Sequence, residues 1–365
     1  MKKIVLLLSC IFLSHSTFAC SAFLLKSQKN FFVGFNENWK TMPGMVIINK
    51  RGVAKTGLGW DFMAAQPGKN PDGKKWISKY GSVGFSLMGI DMPCYGMNEK
   101  GLYLVELYLD KTFSISEKGK TNMFWAQWIQ YQLDNFADVN EMLKNLDQAP
   151  VIDWWPTFPG SHFFVADKSG NTAVLELLNG KMKVYSGKEM PVKLLCNNEY
   201  EKDLLSLKEY QPFGGKKSFD MENNNKWDDR FIKAAHMLNN YNEAVSGNPL
   251  TYSWNILEAV KPGEWQMVAD MKQTKLYFRS DISNNIKEID LNKIDFSEKA
   301  DLKYVDIHFD QEGDISRNLL AFSPEVNKSY TEKGFVIAYD NKEFPGSVTF
   351  KNVIENLHNY VKSLY

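Results

Sequence analysis

The N-terminus constrains this chain more than any other segment. Lys2 and Lys3 precede a ten-residue apolar stretch, Ile4 to Leu13, and then Thr17-Phe18-Ala19-Cys20. A basic start, a short apolar core and small residues at 17 and 19 read as a secretory signal peptide cut after Ala19. Ten apolar residues are too few for a membrane span, which takes about 20. The expected organisation is a signal peptide over 1–19 and a single domain over 20–365, periplasmic or secreted. Cys20 then becomes the first residue of the mature chain, and the fold must carry that terminus to wherever it acts.

A terminal cysteine combines two groups with matched acidities. A free thiol has a pKa near 8.5 and a terminal amine roughly 7.7–8. The amine can take the thiol proton, directly or through water, so nucleophile and base share one residue. Two other readings of Cys20 compete. It is the residue that merely follows the cut, or it is the acylated cysteine of a lipoprotein. Lipoprotein signals want a small or β-branched residue two before the cysteine and an aliphatic one three before; Phe18 and Thr17 match poorly.

Composition narrows the partners. There are 43 basic and 43 acidic side chains, with no net charge, which argues against nucleic acid. A hydrophobic share of 44% with 24% charged residues is that of a globular chain. No apolar run after the signal is long enough to span a membrane. Cys10 leaves with the signal, and Cys94 and Cys196 are either buried thiols or a disulfide. His162, His236, His308 and His358 lack metal-ligand spacing. A Gly-x-Ser-x-Gly elbow and a phosphate-loop lysine motif are both missing. No cofactor and no metal are expected, and oligomeric state is left open.

The mature chain opens as a hairpin: Ser21–Leu25, a polar turn at Ser27-Gln28-Lys29-Asn30, and a return over Phe31–Phe35. A turn centred between Gln28 and Lys29 sets Cys20 opposite about Glu37, with Asn36, Asn38 and Trp39 beside it. Strands are expected at Met45–Ile48, Gly81–Met88 and Gly101–Leu109, and a helix over Asn122–Phe136. A meander follows at His162–Asp167, Thr172–Leu178, Lys181–Tyr185 and Val192–Cys196. A second helix is expected over Trp227–Leu238. Further strands fall at Gln266–Ala269, Lys275–Phe278 and Tyr304–His308, with a last helix near Val353–Leu364. Many strands and few helices in one continuous chain suggest α+β with stacked sheets.

These residues carry a resemblance. Cys20 followed by Gly34-x-Asn36-x-Asn38-Trp39 resembles the start of the choloylglycine hydrolase family, which holds bile acid hydrolases, penicillin V acylases and related linear-amide hydrolases. Asn49-Lys50-Arg51-Gly52, Tyr80-Gly81-Ser82-Val83, Gly96-Met97-Asn98-Glu99-Lys100-Gly101-Leu102, Leu195-Cys196-Asn197 and Arg230-Phe231 follow in the family's order. The resemblance covers roughly residues 20–290. It implies an α+β fold, a four-layer αββα sandwich of two antiparallel sheets. Two positions depart: the family's aspartate is Asn38 here, and its common basic residue is Phe35. Asparagine keeps an acceptor oxygen and loses the charge, which Glu37 could supply in this register.

The resemblance assigns roles residue by residue. Cys20 is the nucleophile and its α-amine the base. Asn38 orients the amine, or caps a strand-end turn. Asn197 is the oxyanion donor, with Asn198 competing for that role. Tyr108 borders the same hole through its backbone N–H, or simply packs in the sheet. Arg230 is a buried guanidinium near the thiol, or a surface partner of Asp228 or Asp229. Trp60, Trp76 or Trp125 could line an acyl pocket. The expected function is an exported amidohydrolase acting on a small-molecule N-acyl amide: penicillin V or another such amide, ahead of a conjugated bile acid. Rival readings are an acyltransferase using the same thioester and a non-catalytic lipoprotein or binding module.

Overall fold

The computed structural model describes residues 19–109, 122–149, 151–153, 160–224, 229–338 and 350–365. The proposed signal up to residue 18 therefore lies outside the described residues, as do Trp227 and Asp228.

The first hairpin forms as its turn dictates. Strands Ser21–Lys26 and Phe31–Glu37 pair antiparallel with Ser21 opposite Asn36. The backbone N–H of Ala19 continues the ladder to the Asn38 carbonyl at 3.2 Å. Five successive residues of the first strand, Ser21 to Leu25, are buried. One face is covered by the facing sheet and the other by helices Arg230–Asn240 and Pro249–Ala259, so the strand reads apolar on both faces.

Two sheets hold the described strands of the sandwich. The smaller runs Leu194–Leu195, Ser21–Lys26, Phe31–Glu37, Trp265–Asp270, Lys275–Ser280, Lys287–Asp290 and Gly313–Asp314. It is antiparallel except at the last pairing. The larger runs Lys181–Ser186, Thr172–Leu178, Ser161–Asp167, Leu102–Tyr108, Tyr95–Asn98, Ser82–Ser86, Met45–Asn49, Lys303–Asp306 and Leu320–Ala321, antiparallel throughout. Aromatic rings tie the two sheets face to face. Phe35 meets Tyr95 at 5.0 Å, Phe85 meets Phe278 edge-on at 5.2 Å, and Tyr95 meets Trp265 at 6.3 Å. Helix Trp125–Asn135 covers the larger sheet, with Trp128 on Phe163 at 4.9 Å. The result is the expected αββα order of layers.

Several expected boundaries move. Asn122–Phe124 is a short strand, pairing parallel with Val151–Asp153, so the helix expected from Asn122 starts at Trp125. The Val192–Cys196 strand shrinks to Leu194–Leu195, because the chain leaves the sheet edge there to enter helix Tyr200–Leu207. The Trp227–Leu238 helix is observed over Arg230–Asn240. Helices Pro249–Ala259 and Pro324–Ala338 were not expected. The former carried a legible start: Pro249 at its first turn, and Asn248 Oδ1 accepting from the N–H groups of Leu250 and Thr251 at 2.8 and 3.3 Å.

Candidate active site

Most of the early motif is structural. A Cβ on Gly34 would lie 2.2 Å from the Phe23 ring, which crosses that position. Asn36 faces the helix layer. Its Nδ2 donates to the Leu257 and Lys261 carbonyls, both at 2.9 Å, and its Oδ1 accepts from Gln266 at 2.9 Å. It therefore closes the exposed carbonyl end of helix Pro249–Ala259. Asn98 does the same for helix Trp125–Asn135, donating to Leu133 and Phe136 at 2.8 Å each. Glu99 accepts from the Gly81 N–H at 2.8 Å and pairs with Arg51 at 3.0 Å.

The two strand neighbours of the first strand fix where Cys20 sits. Carrying the Ser21–Asn36 register back one residue sets Cys20 opposite Glu37. The Ala19-to-Asn38 bond makes this a pair without mutual hydrogen bonds, the kind in which side chains approach most closely. On the other side Ala22 pairs with Leu195, which brings Cys20 level with Asn197.

Arg230 joins these parts. It opens its helix and is only 5% exposed. Its Nη1 donates to the Cys20 carbonyl at 2.9 Å and to the Ser21 hydroxyl at 3.1 Å; its Nη2 donates to Asn197 Oδ1 at 3.1 Å. Asn197 Nδ2 then donates to the Tyr108 carbonyl at 2.7 Å. Tyr108 thus meets Asn197 through its C=O. Asn198 turns elsewhere, donating to Asp203 at 2.9 Å. The Asn38 side chain donates to the Pro262 carbonyl at 2.9 Å. Cys20, Asn38, Asn197 and Arg230 are all buried, and Tyr108 is half-buried.

Sequence reading missed three contributors. Ser21 sits between Arg230 and the Cys196 thiol, which is 3.4 Å from its hydroxyl. Glu264 accepts from the Trp39 N–H at 2.6 Å. Glu106, from the Leu102–Tyr108 strand, acts electrostatically on both Cys20 and Glu37. Ser21 was discoverable as the residue after Cys20; the glutamates are distant in sequence and carry no motif.

The electrostatics are acidic. Burial, then Glu106 and Glu264, push Glu37 up to about 8. Burial pushes Glu106 up to about 7. The Cys20 thiol is raised well above the usual range, first by burial and then by Glu37; the Asn38 backbone N–H and Arg230 oppose this. Cys94 and Cys196 are free buried thiols, which settles the disulfide alternative. Among the described residues no group of three or more His, Cys, Asp or Glu side chains converges as a metal site. Trp76 donates to Asp134 at 2.8 Å within a buried network around Lys55, which ties it to structure. Trp60 and Trp125 are buried.

Comparison with known proteins places this geometry. Residues 64–305 match the linear amide C-N hydrolases of the choloylglycine hydrolase family. A penicillin V acylase of Pectobacterium atrosepticum is 29% identical over 269 residues, covering 62% of this chain and 70% of the relative. The structure of penicillin V acylase from Agrobacterium tumefaciens superposes with a TM-score of 0.70 at 25% identity, covering 84% of this chain and 98% of that one. A conjugated bile acid hydrolase from Clostridium perfringens shares the fold, at a TM-score of 0.61 and 18% identity, over 80% of this chain and 98% of its own. The chain belongs to the choloylglycine hydrolase family of linear amide C-N hydrolases.

Proposed function

We propose that the chain is exported, cut after Ala19 into one domain over 20–365, and hydrolyses N-acyl amides through a thioester on Cys20. The observation that carries this reading is the position of Cys20, flanked in register by Glu37 and Asn197 and bound through its carbonyl by Arg230. In the uncut chain the Cys20 nitrogen is an amide and has no basicity. Cleavage frees the amine and also removes the Ala19 N–H from the Asn38 carbonyl, leaving that acceptor beside the new terminus.

The cycle follows from these groups. The α-amine takes the thiol proton and the thiolate attacks the amide carbon. The C=O electron pair moves onto oxygen, where the second N–H of Asn197 Nδ2 stabilises it. Collapse breaks the C–N bond, and the α-ammonium protonates the departing amine. Water, deprotonated by the same amine, then cleaves the thioester to the free acid. Phe35 in place of a basic residue, and the two penicillin V acylase relatives, favour a penicillin-V-type or similar acyl amide over a bile salt. The test is a panel of N-acyl amides watched for amine release, beside N-terminal sequencing of the exported protein. Release of amine from a chain beginning Cys-Ser-Ala-Phe supports the reading. A mature chain starting elsewhere, or one carrying lipid on Cys20, overturns it.

Glu37→Gln is expected to move the pH profile. A carboxylate beside the thiol and the new ammonium raises both pKa values, so its removal lowers both. The rising limb of kcat/KM should shift to lower pH at its upper end, near pH 8 and above, where Glu37 is ionised in the wild type. Stability carries the opposite side of this. Glu37 rises from 4.5 to about 8 on folding. Its favourable contribution is complete below pH 4.5 and is lost as pH rises through 8, because the buried charge is disfavoured. The variant's Tm should therefore gain on the wild type between pH 5 and pH 9. Coincident rate profiles would show that Glu37 does not act on Cys20.

A further inference from the structure

The helices Pro324–Ala338 and Phe350–Leu364 lie beyond residues 64–305, the part that matches the family. Both grip one loop. This loop, residues 87–94, links strands Ser82–Ser86 and Tyr95–Asn98. Asn327 Oδ1 accepts from the Ile90 N–H at 2.8 Å, and the Thr331 hydroxyl donates to the Met88 carbonyl at 3.0 Å. A Cβ on Gly89 would lie 2.2 Å from Asn327, so the first of these helices rests directly on that glycine. From the second helix, the Tyr360 hydroxyl donates to Asp91 Oδ2 at 2.9 Å. Asp91 Oδ1 pairs with the buried Lys55 ammonium at 2.6 Å. Asp91 has a φ of 64°, a left-handed backbone that a non-glycine residue keeps only when its surroundings enforce it. Asn356 fastens the second helix itself, donating to the carbonyls of Met63 and Ala65 at 3.0 and 2.9 Å.

The loop ends at the candidate active site. The Cys94 carbonyl accepts from the Glu106 N–H at 3.0 Å. Tyr95 pairs with Val105, which sets Cys94 opposite Glu106 on the neighbouring strand. Tyr95 follows, its ring against Phe35 and Trp265, the residue paired with Glu37. We propose that the two C-terminal helices form a clamp that sets the 87–94 loop, and through Cys94 and Tyr95 the wall beside Cys20, with Asn327 and Tyr360 as its positioning residues. This rests on Cys20 being the nucleophile. The clamp is distinctive because its contacts to Gly89 and Asp91 come from helices outside the family-matched segment.

The test compares Asn327→Leu, Asn327→Asp and Tyr360→Phe in the mature protein. Three readouts are taken: Tm, kcat and KM for the substrate found in the amide panel, and the rate of iodoacetamide alkylation at Cys20, read by mass on the N-terminal peptide. Asn327→Leu and Tyr360→Phe should each change kcat/KM and the alkylation rate at least fivefold at temperatures well below their Tm. Asn327→Asp keeps an acceptor for the Ile90 N–H and should stay within twofold of wild type. Wild-type kinetics and alkylation in both Asn327→Leu and Tyr360→Phe overturn the clamp, as does Asn327→Asp falling as far as Asn327→Leu. If Asn327→Leu fails to fold, Tyr360→Phe, which loses one oxygen atom, decides alone. Cys20→Ala run in parallel separates the two ideas. Amine release surviving in that variant defeats the nucleophile assignment, whereas an unchanged alkylation rate in the clamp variants defeats only the clamp.

Discussion

Cys20→Ala should abolish amine release, by at least about a thousandfold, while leaving the protein folded and exported. Loss of a nucleophile that acts in concert with its base removes the covalent path entirely, and residual rate then comes only from binding and oxyanion donors. The structural cost is small. Alanine keeps the Cβ and the backbone carbonyl that Arg230 binds, and deletes one sulfur atom from a buried strand end. Cys20→Ser should also lose most activity, because a hydroxyl is far less acidic than a thiol and its shorter bond to Cβ sets the attacking atom back from the place a sulfur would occupy. Rates are measured with the substrate found in the amide panel, alongside circular dichroism and the mature N-terminal sequence. Normal turnover in a correctly processed Cys20→Ala protein would falsify the nucleophile assignment, and the site would have to be sought elsewhere.

The parts of the site legible in the sequence were those fixed by short-range geometry. The polar turn at 27–30 sets the hairpin register, and that register alone puts Cys20 opposite Glu37. Arg230 and Asn197 were found through motif order, and the structure brings them into hydrogen-bond contact with each other. What the motifs could not reveal was the division of labour within them. Asn36 and Asn38 are two residues apart in one motif and look equivalent. Yet Asn36 closes a helix end in the outer layer while Asn38 lies at the turn next to Cys20. They share a face, and what separates them is the end of the strand at Glu37 together with a helix that was not anticipated at 249–259. Glu106 and the Lys55–Asp91–Asp134 cluster were invisible for a different reason. Their members lie tens of residues apart, and a buried charge has no local signature until its partners are known. Tyr108 was placed near Asn197 by family analogy, and the contact between them runs through its carbonyl, a detail no motif carries.

Asn197→Ala is expected to reduce kcat by about 100- to 1000-fold, the usual loss for one oxyanion donor, equivalent to about 2.7–4 kcal/mol. The orientation of this amide is over-determined. Its oxygen accepts from Arg230 at 3.1 Å and its nitrogen donates to the Tyr108 carbonyl at 2.7 Å, so the two ends cannot exchange. The second hydrogen on that nitrogen is then held in a fixed direction, and in the proposed cycle it meets charge that appears only in the transition state. Such an interaction lowers kcat and kcat/KM together, so KM should stay within about threefold. Asn197→Asp gives the sharper comparison. It keeps the Arg230 partner and adds charge, but it offers only oxygen to the Tyr108 carbonyl and to the oxyanion. If the donor matters, Asp should be as impaired as Ala; if Arg230 anchoring matters, Asp should recover activity. Asn198→Ala serves as the neighbouring control. Its amide is spent on Asp203 at 2.9 Å, so its kcat should remain within about twofold of wild type. A large loss in Asn198→Ala with normal turnover in Asn197→Ala would reassign the oxyanion donor by one residue and break the register that links Cys20 to Asn197.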